Sequence, residues 1–241
     1  MESKKLLICI SFHYVESRIE NLKKIVDCFL NYKLKTTIVI DCNQDFKFFE
    51  EYDNIIVKTH NNLSHPFHLT SMHRLTMVDE IDYFDYFMYI EDDMLLPYEN
   101  FLEYINNFDE LYKINCVPSF VRIEEFNGKE YIVDFTYRCA GTSKININDK
   151  TFVNLDQPYH AFWILPSKEL KYSINENFVI VDTNRELSAS YVMWGLNKTP
   201  YVLMDGNKIN KLSCSYHLTN NYAKVEDSPF GKIEFDSVIF N

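Results

Sequence analysis

The first hundred residues change hydrophobic period again and again, and this alternation constrains the fold more than any single motif. The run KLLICISF at 5–12 is short and almost continuously apolar, as a strand covered on both faces must be. From Val15 the spacing lengthens. Val15, Ile19, Leu22, Ile25 or Val26, and Phe29 recur every three to four residues, the period of an amphipathic helix. TTIVIDC (36–42) and NIIVKT (54–59) read as second and third strands. HPFHLTSMHRLTMVDEI (65–81) reads as a second helix, with Pro66 accommodated in its first turn. YFMYIE (86–91) is a fourth strand, and Tyr98, Phe101, Leu102, Ile105, Phe108 and Leu111 stripe a third helix opened by Pro97. Repeated strand–helix–strand units predict a parallel sheet with right-handed crossovers.

Beyond about residue 115 the pattern loosens. CVPSFVRIEEF and KEYIVDFTYR flank Asn127-Gly128, a hairpin signal. GTSKININDK (141–150) is polar and reads as a mobile loop. AFWILP (161–166) is a short strand, RELSASYVMWGL (185–196) a helix, and YVLM (201–204) and LSCSYH (212–217) late strands. The expected class is therefore α/β, with a mostly parallel N-terminal half and an antiparallel-rich C-terminal half. One domain over 1–241 is expected, divided near residue 115, since no linker, repeat or low-complexity tract interrupts the chain.

Composition narrows the function. At 241 residues and 46% hydrophobic, the chain can bury a sizeable core. A net charge of -11 disfavours nucleic acid, which is bound by surplus Lys and Arg. Only 5 glycines leave little room for a Gly-rich phosphate loop. Cysteines 9, 28, 42, 116, 139 and 214 form no CxxC and are expected to be reduced. LLICI after Met1-Glu-Ser-Lys-Lys5 is too short for a signal peptide, and nothing approaches a membrane span of roughly 20 apolar residues. A cytoplasmic protein with no membrane span is expected.

The fourth strand ends in Glu91, Asp92 and Asp93 and then resumes with apolar residues. In an extended segment Glu91 and Asp93 point the same way, with Asp92 turned elsewhere. Carboxylates at the C-terminal end of a parallel strand occupy the place where open α/β sheets bind ligands. Hard cations such as Mg²⁺ or Mn²⁺ take oxygen ligands and would offset the repulsion. The competing reading is a solvated strand end that helps to start the next helix.

A sheet of this order carrying YIEDD at its fourth strand resembles the GT-A (Rossmann-like) fold of nucleotide-sugar-dependent glycosyltransferases, family 2-like in character. HPFHLTSMHR, then YIEDDM, YHAFWILP and RELSASY, extend the resemblance over most of residues 5–217. In that family a D-x-D or E-D-D element binds Mn²⁺ or Mg²⁺, which grips the donor diphosphate. The resemblance implies Asp93 as direct metal ligand. Glu91, where the family more often has Asp, and Asp92 would act through water or hydroxyls, and His217 would be a further ligand. It places Phe12, His13 and Tyr14 against the nucleotide base and Asp41 against base or ribose. It also makes Glu186 the base of an inverting reaction, with Asp182 in reserve. The implied partners are a nucleotide-sugar donor, UDP-linked by preference, and a glycan or glycoconjugate acceptor.

Several residues carry readings of their own. His65, His68, His73 and Arg74 share the second predicted helix. Zinc is disfavoured there because H-E-x-x-H and neighbouring cysteines are absent. Arg74 is a candidate fixed cation for a diphosphate or for the acidic triplet, with His73 beside it on the donor side. Trp163 and Trp194 are candidates for stacking on acceptor sugars, against the plainer reading of core packing. Two alternatives remain. A sugar-nucleotide pyrophosphorylase shares such a sheet but needs a Gly-rich basic loop where this chain has SFHYVESR. A non-catalytic nucleotide- or glycan-binding module would keep the fold without turnover.

Overall fold

The computed structural model describes residues 4–133, 143–155, 159–175, 178–180, 184–228 and 231–240. The chain is a mixed α/β protein that divides into two compact units, each assembled from two stretches. Met1–Asp93 with Ala161–Leu196 form the first, and Met94–His160 with Asn197–Asn241 form the second. Residues 94–115, read from sequence with the N-terminal half, thus belong to the second unit.

The first unit is built on a sheet of β1 (Lys5–Phe12), β2 (Lys35–Cys42), β3 (Ile55–Thr59), β4 (Tyr86–Glu91) and a later strand, Phe162–Pro166. β1 is central and parallel to both β2 and β4, β3 continues in parallel beyond β2, and the late strand closes the other edge antiparallel to β4. The continuous apolar runs are explained by burial, since Leu6, Ile8, Ile10, Ile38, Ile40, Tyr89 and Ile90 are fully enclosed. Helix α1 (Ile19–Leu30) lays Ile19, Leu22, Ile25, Val26 and Phe29 against this core. Val15, expected on that stripe, is exposed ahead of the helix.

Two expected helices are broken. The segment 65–81 is a 3-10 turn (Pro66–Ser71) followed by a short α2 (His73–Asp79). His65 caps the turn by accepting the N–H of Phe67 at 3.1 Å. The segment 185–196 is split at Ser190 into two short helices, Arg185–Ala189 and Tyr191–Trp194. At the break, the Ser188 carbonyl accepts the indole Nε1–H of Trp163 at 3.1 Å.

In the second unit, β5 (Met94–Leu95) leads to α3 (Tyr98–Lys113) and then to β6 (Cys116–Pro118), β7 (Val121–Phe126) and β8 (Lys129–Val133). α3 buries Asn100, Phe101, Tyr104, Phe108 and Leu111, so Leu102 and Ile105 of the expected stripe stand at its margin. The buried Asn100 is satisfied by donating to the carbonyls of Lys211 and Cys214 at 2.9 and 2.8 Å. β9 (Lys144–Ile147) and β10 (Lys150–Asn154) form a hairpin where a mobile loop was expected. Asn148 (φ 47°) and Asp149 (φ 62°) make its two-residue turn with both residues left-handed.

The strand Phe162–Pro166 is β11, and β12 (Thr199–Asp205), β13 (Lys208–Ile209), β14 (Cys214–His217) and β15 (Lys232–Glu234) complete the count. The second unit holds two mixed sheets, β13-β12-β10-β9 with β6 parallel to β12, and β15-β8-β7-β14-β5 with β14 parallel to β7. Val121, Ile123, Ile132, Val153, Val202 and Cys214 pack into one core of this unit. Among the described residues no helix is long and apolar enough to cross a membrane. Cys9, Cys42, Cys116 and Cys214 are buried free thiols, and Cys139 lies outside the described residues.

The β7–β8 turn gives a direct test of the hairpin reasoning. Asn127 (φ 53°) and Gly128 (φ 72°) are both left-handed, and a Cβ on Gly128 would meet nothing within 4 Å. Backbone strain alone should therefore set the cost of Gly128→Ala, about 1 kcal/mol in a denaturant melt. An unchanged midpoint would contradict the turn geometry.

Candidate active site

At the carboxyl ends of the parallel strands, Ser11 of β1 is in register with Asp41 of β2 on one side and Glu91 of β4 on the other. In-register neighbours in a parallel sheet project to the same face, so three polar side chains share that face. The Ser11 hydroxyl is hydrogen-bonded to the Tyr89 hydroxyl at 2.8 Å, one step back along the same face. β4 stops at Glu91, and Asp92 and Asp93 form a turn. The extended geometry expected to pair Glu91 with Asp93 therefore does not persist that far.

The pairing is different. Glu91 receives both Nε and Nη2 of Arg185, the former at 2.9 Å. Asp92 receives Arg18 Nη1 on both its oxygens, at 2.9 and 3.2 Å, and Asp93 lies 3.5 Å from Arg18 Nη2. All three acids are buried, at 4%, 4% and 6% exposure. Burial pushes the Asp92 carboxyl up to about 7, and the charges of Asp93 and Glu91 push the same way, more than Arg18 recovers. Burial works against the charge on Arg18, but Asp92 and Asp93 hold its guanidinium more firmly protonated than usual.

Asp41 is 1% exposed and shares Oδ1 with His60 Nε2 at 2.8 Å, while its Oδ2 meets no partner among the described residues. Burial raises its carboxyl, and the His60 bond only partly opposes this. Phe12 is enclosed, Tyr14 is half-buried and His13 is exposed. Phe12 and Tyr14 join Phe46 in an aromatic cluster with ring centroids 5.6 and 6.4 Å from it. The Tyr14 N–H is fixed by Asn43 Oδ1 at 2.7 Å.

Other candidates serve packing. Arg74 donates to the Phe178 and Ile180 carbonyls at 3.1 and 3.4 Å and to the Ser188 hydroxyl at 3.2 Å, and it lies over the rings of Phe178 and Tyr191. It is a buried tie between segments of the first unit, and the guanidinium groups on the acids are those of Arg18 and Arg185. His73 is stacked on Tyr89 with centroids 4.1 Å apart, and burial, then the Arg74 charge, depress its imidazole well below its ordinary value. Trp163 is 3% exposed, bonded through its indole to Ser188, so it is core and not a sugar platform. Trp194 is half-buried at the end of its short helix.

Glu186 is exposed in the first turn of the short helix Arg185–Ala189, which Asn184 caps by accepting the Leu187 N–H at 3.0 Å. Asp182 lies outside the described residues. His217 belongs to the second unit, where Nδ1 faces Glu124 Oε1 and Nε2 meets the Thr219 hydroxyl at 2.8 Å. Its ring also stacks on Tyr222, at 5.6 Å between centroids.

Arg18 and Arg185 were not among the sequence candidates. Arg18 ends the 3-10 turn Glu16–Arg18 that leads from β1 into α1, and Arg185 stands beside Glu186 in the segment singled out for its acid. A positional signal existed, because a buried acidic triplet must draw cations from the loops around the same strand ends. The oxygen donors of the triplet suit a hard divalent ion in kind. In this arrangement guanidinium groups hold those oxygens, and among the described residues no group of three or more His, Cys, Asp or Glu could hold a metal ion. No protein-family model matches the chain, and no curated protein matches it in sequence.

Proposed function

We propose that this protein is a GT-A-type glycosyltransferase that moves a sugar from a nucleoside diphosphate donor, UDP-linked by preference, to a hydroxyl of a glycan or glycoconjugate. The observation that carries the reading is the buried triplet Glu91, Asp92 and Asp93 at the carboxyl end of a parallel strand, in register through Ser11 with the buried Asp41. That place in an open α/β sheet is where a ligand is met. Asp93 and Glu91 are the side chains that would hold Mn²⁺ or Mg²⁺, with Asp93 first because its ion pair is the longest. When bound, such an ion stabilises the negative charge that gathers on a departing phosphate oxygen. Asp41 offers an oxygen without a partner among the described residues to a ribose or base, and the Phe12, Tyr14 and Phe46 cluster stands at the end of β1 and just beyond β2. Glu186, exposed and one residue from Arg185, is the proposed base for an inverting transfer. The free thiols support a reducing compartment, the cytoplasm, as the place of reaction.

A panel of nucleotide sugars incubated with the protein and Mn²⁺ tests the reading. One donor should be hydrolysed slowly without acceptor and faster with a suitable glycan, and EDTA should stop both. Nucleoside diphosphate binding without turnover of any donor would identify a binding module instead. Formation of a nucleoside triphosphate from pyrophosphate would identify a pyrophosphorylase.

A further inference from the structure

Resting on the glycosyltransferase reading, we infer that Arg18 and Arg185 are exchangeable counter-ions of the triplet. Each pairs with a carboxylate of the triplet, and each turns to the donor's diphosphate when a divalent cation takes its place. Arg185 donates to both oxygens of Glu91, and Arg18, which donates to both oxygens of Asp92, also stands 3.5 Å from Asp93, so a cation on Glu91 and Asp93 competes with guanidinium groups for those acids. A cation added with both guanidinium groups in place would meet like charge in a poorly solvated setting.

Exposure says which partner moves. The Arg18 and Arg185 side chains are 35% and 42% exposed, whereas the three carboxylates are 5–8% exposed. Long, half-solvated side chains swing at little cost, and enclosed acids on a strand end do not. The residue type fits as well, because the planar fork of Arg matches carboxylate and phosphate equally well. An independent sign of a ligand is Asp41 Oδ2, an acceptor in a side chain 1% exposed, without a partner among the described residues, on the same face as Glu91.

The exchange predicts opposite signs for two affinities. Arg185→Gln and Arg18→Gln, both at half-exposed positions, should each bind Mn²⁺ alone about tenfold tighter than wild type, read by loss of the free-ion electron paramagnetic resonance signal. The same variants should bind UDP at saturating Mn²⁺ about tenfold more weakly by calorimetry. Arg185→Lys, keeping the charge without the fork, should leave Mn²⁺ affinity near wild type and still weaken UDP. If wild type binds Mn²⁺ and UDP but both Gln variants bind Mn²⁺ no tighter, the exchange is wrong and the glycosyltransferase reading stands. If wild type takes up neither Mn²⁺ nor UDP, the glycosyltransferase reading fails and the exchange falls with it.

Discussion

Replacing Asp93 with asparagine is expected to lower Mn²⁺-dependent donor turnover by on the order of 10²–10³-fold, the loss that follows when a metal can no longer stabilise the leaving phosphate. The side chain keeps its size, and the change removes a negative charge adjacent to Asp92, so the fold should not suffer. Thermal melting at or slightly above the wild-type midpoint would show this. Asp92 supplies the contrast. Both its oxygens face Arg18, and its carboxyl is already pushed up to about 7 by burial and by its acidic neighbours. Asp92→Asn should therefore cost no more than about tenfold in turnover. Full activity in Asp93→Asn would remove the metal assignment at this strand end. A large loss in Asp92→Asn with none in Asp93→Asn would move it to the neighbouring residue.

The sequence exposes those parts of the fold that depend on local period. β1 to β4 stand within a residue of the apolar runs that announce them, because a strand enclosed on both faces leaves few polar residues along its length, and α1 keeps its stripe from Ile19 onward. The β7–β8 turn was equally legible, since Asn-Gly is the pair that most easily adopts two left-handed residues. The β9–β10 turn was not, although it has the same backbone. Asn148-Asp149 lacks glycine, and the polar residues around it hid the alternation in KINI and KTFVN.

What escaped the sequence was decided at a distance. The Ser188 carbonyl, beside the break at Ser190, is met by an indole 25 positions before it in the chain, and the buried Asn100 is justified by carbonyls more than a hundred positions later. The site divides in the same way. The acids were visible because they are consecutive, whereas Arg18 and Arg185 are 74 and 94 positions from their partners. Arg74 looked like a donor-binding residue because a fixed cation suits a diphosphate, and His73 because it stands beside it. Tyr89, Ser188 and the Phe178 carbonyl instead give them places in the core.

The second large effect concerns Glu124, which no sequence argument singled out. It lies on β7 at 1% exposure and accepts the N–H groups of Tyr222 and Ala223 at 2.9 and 2.6 Å, besides facing His217. Glu124→Ala strands two backbone donors and an imidazole, and is expected to cost about 3 kcal/mol in equilibrium unfolding. Glu124→Gln keeps an acceptor for the backbone and should cost less. The pH dependence has a definite sign. Burial alone would raise this carboxyl, but the His217 bond, the Ala223 N–H, the His217 charge and the Tyr222 N–H together hold it below the ordinary glutamate value. A depressed folded-state pKa contributes stability above the unfolded value and loses it as pH falls through the folded one. The gap between wild type and Glu124→Gln should accordingly be full at pH 7 and shrink below about pH 4.3. Unfolding curves at pH 7 and at about pH 3 decide it. A gap that widens in acid would mean that His217 and the two N–H groups do not hold Glu124 ionised.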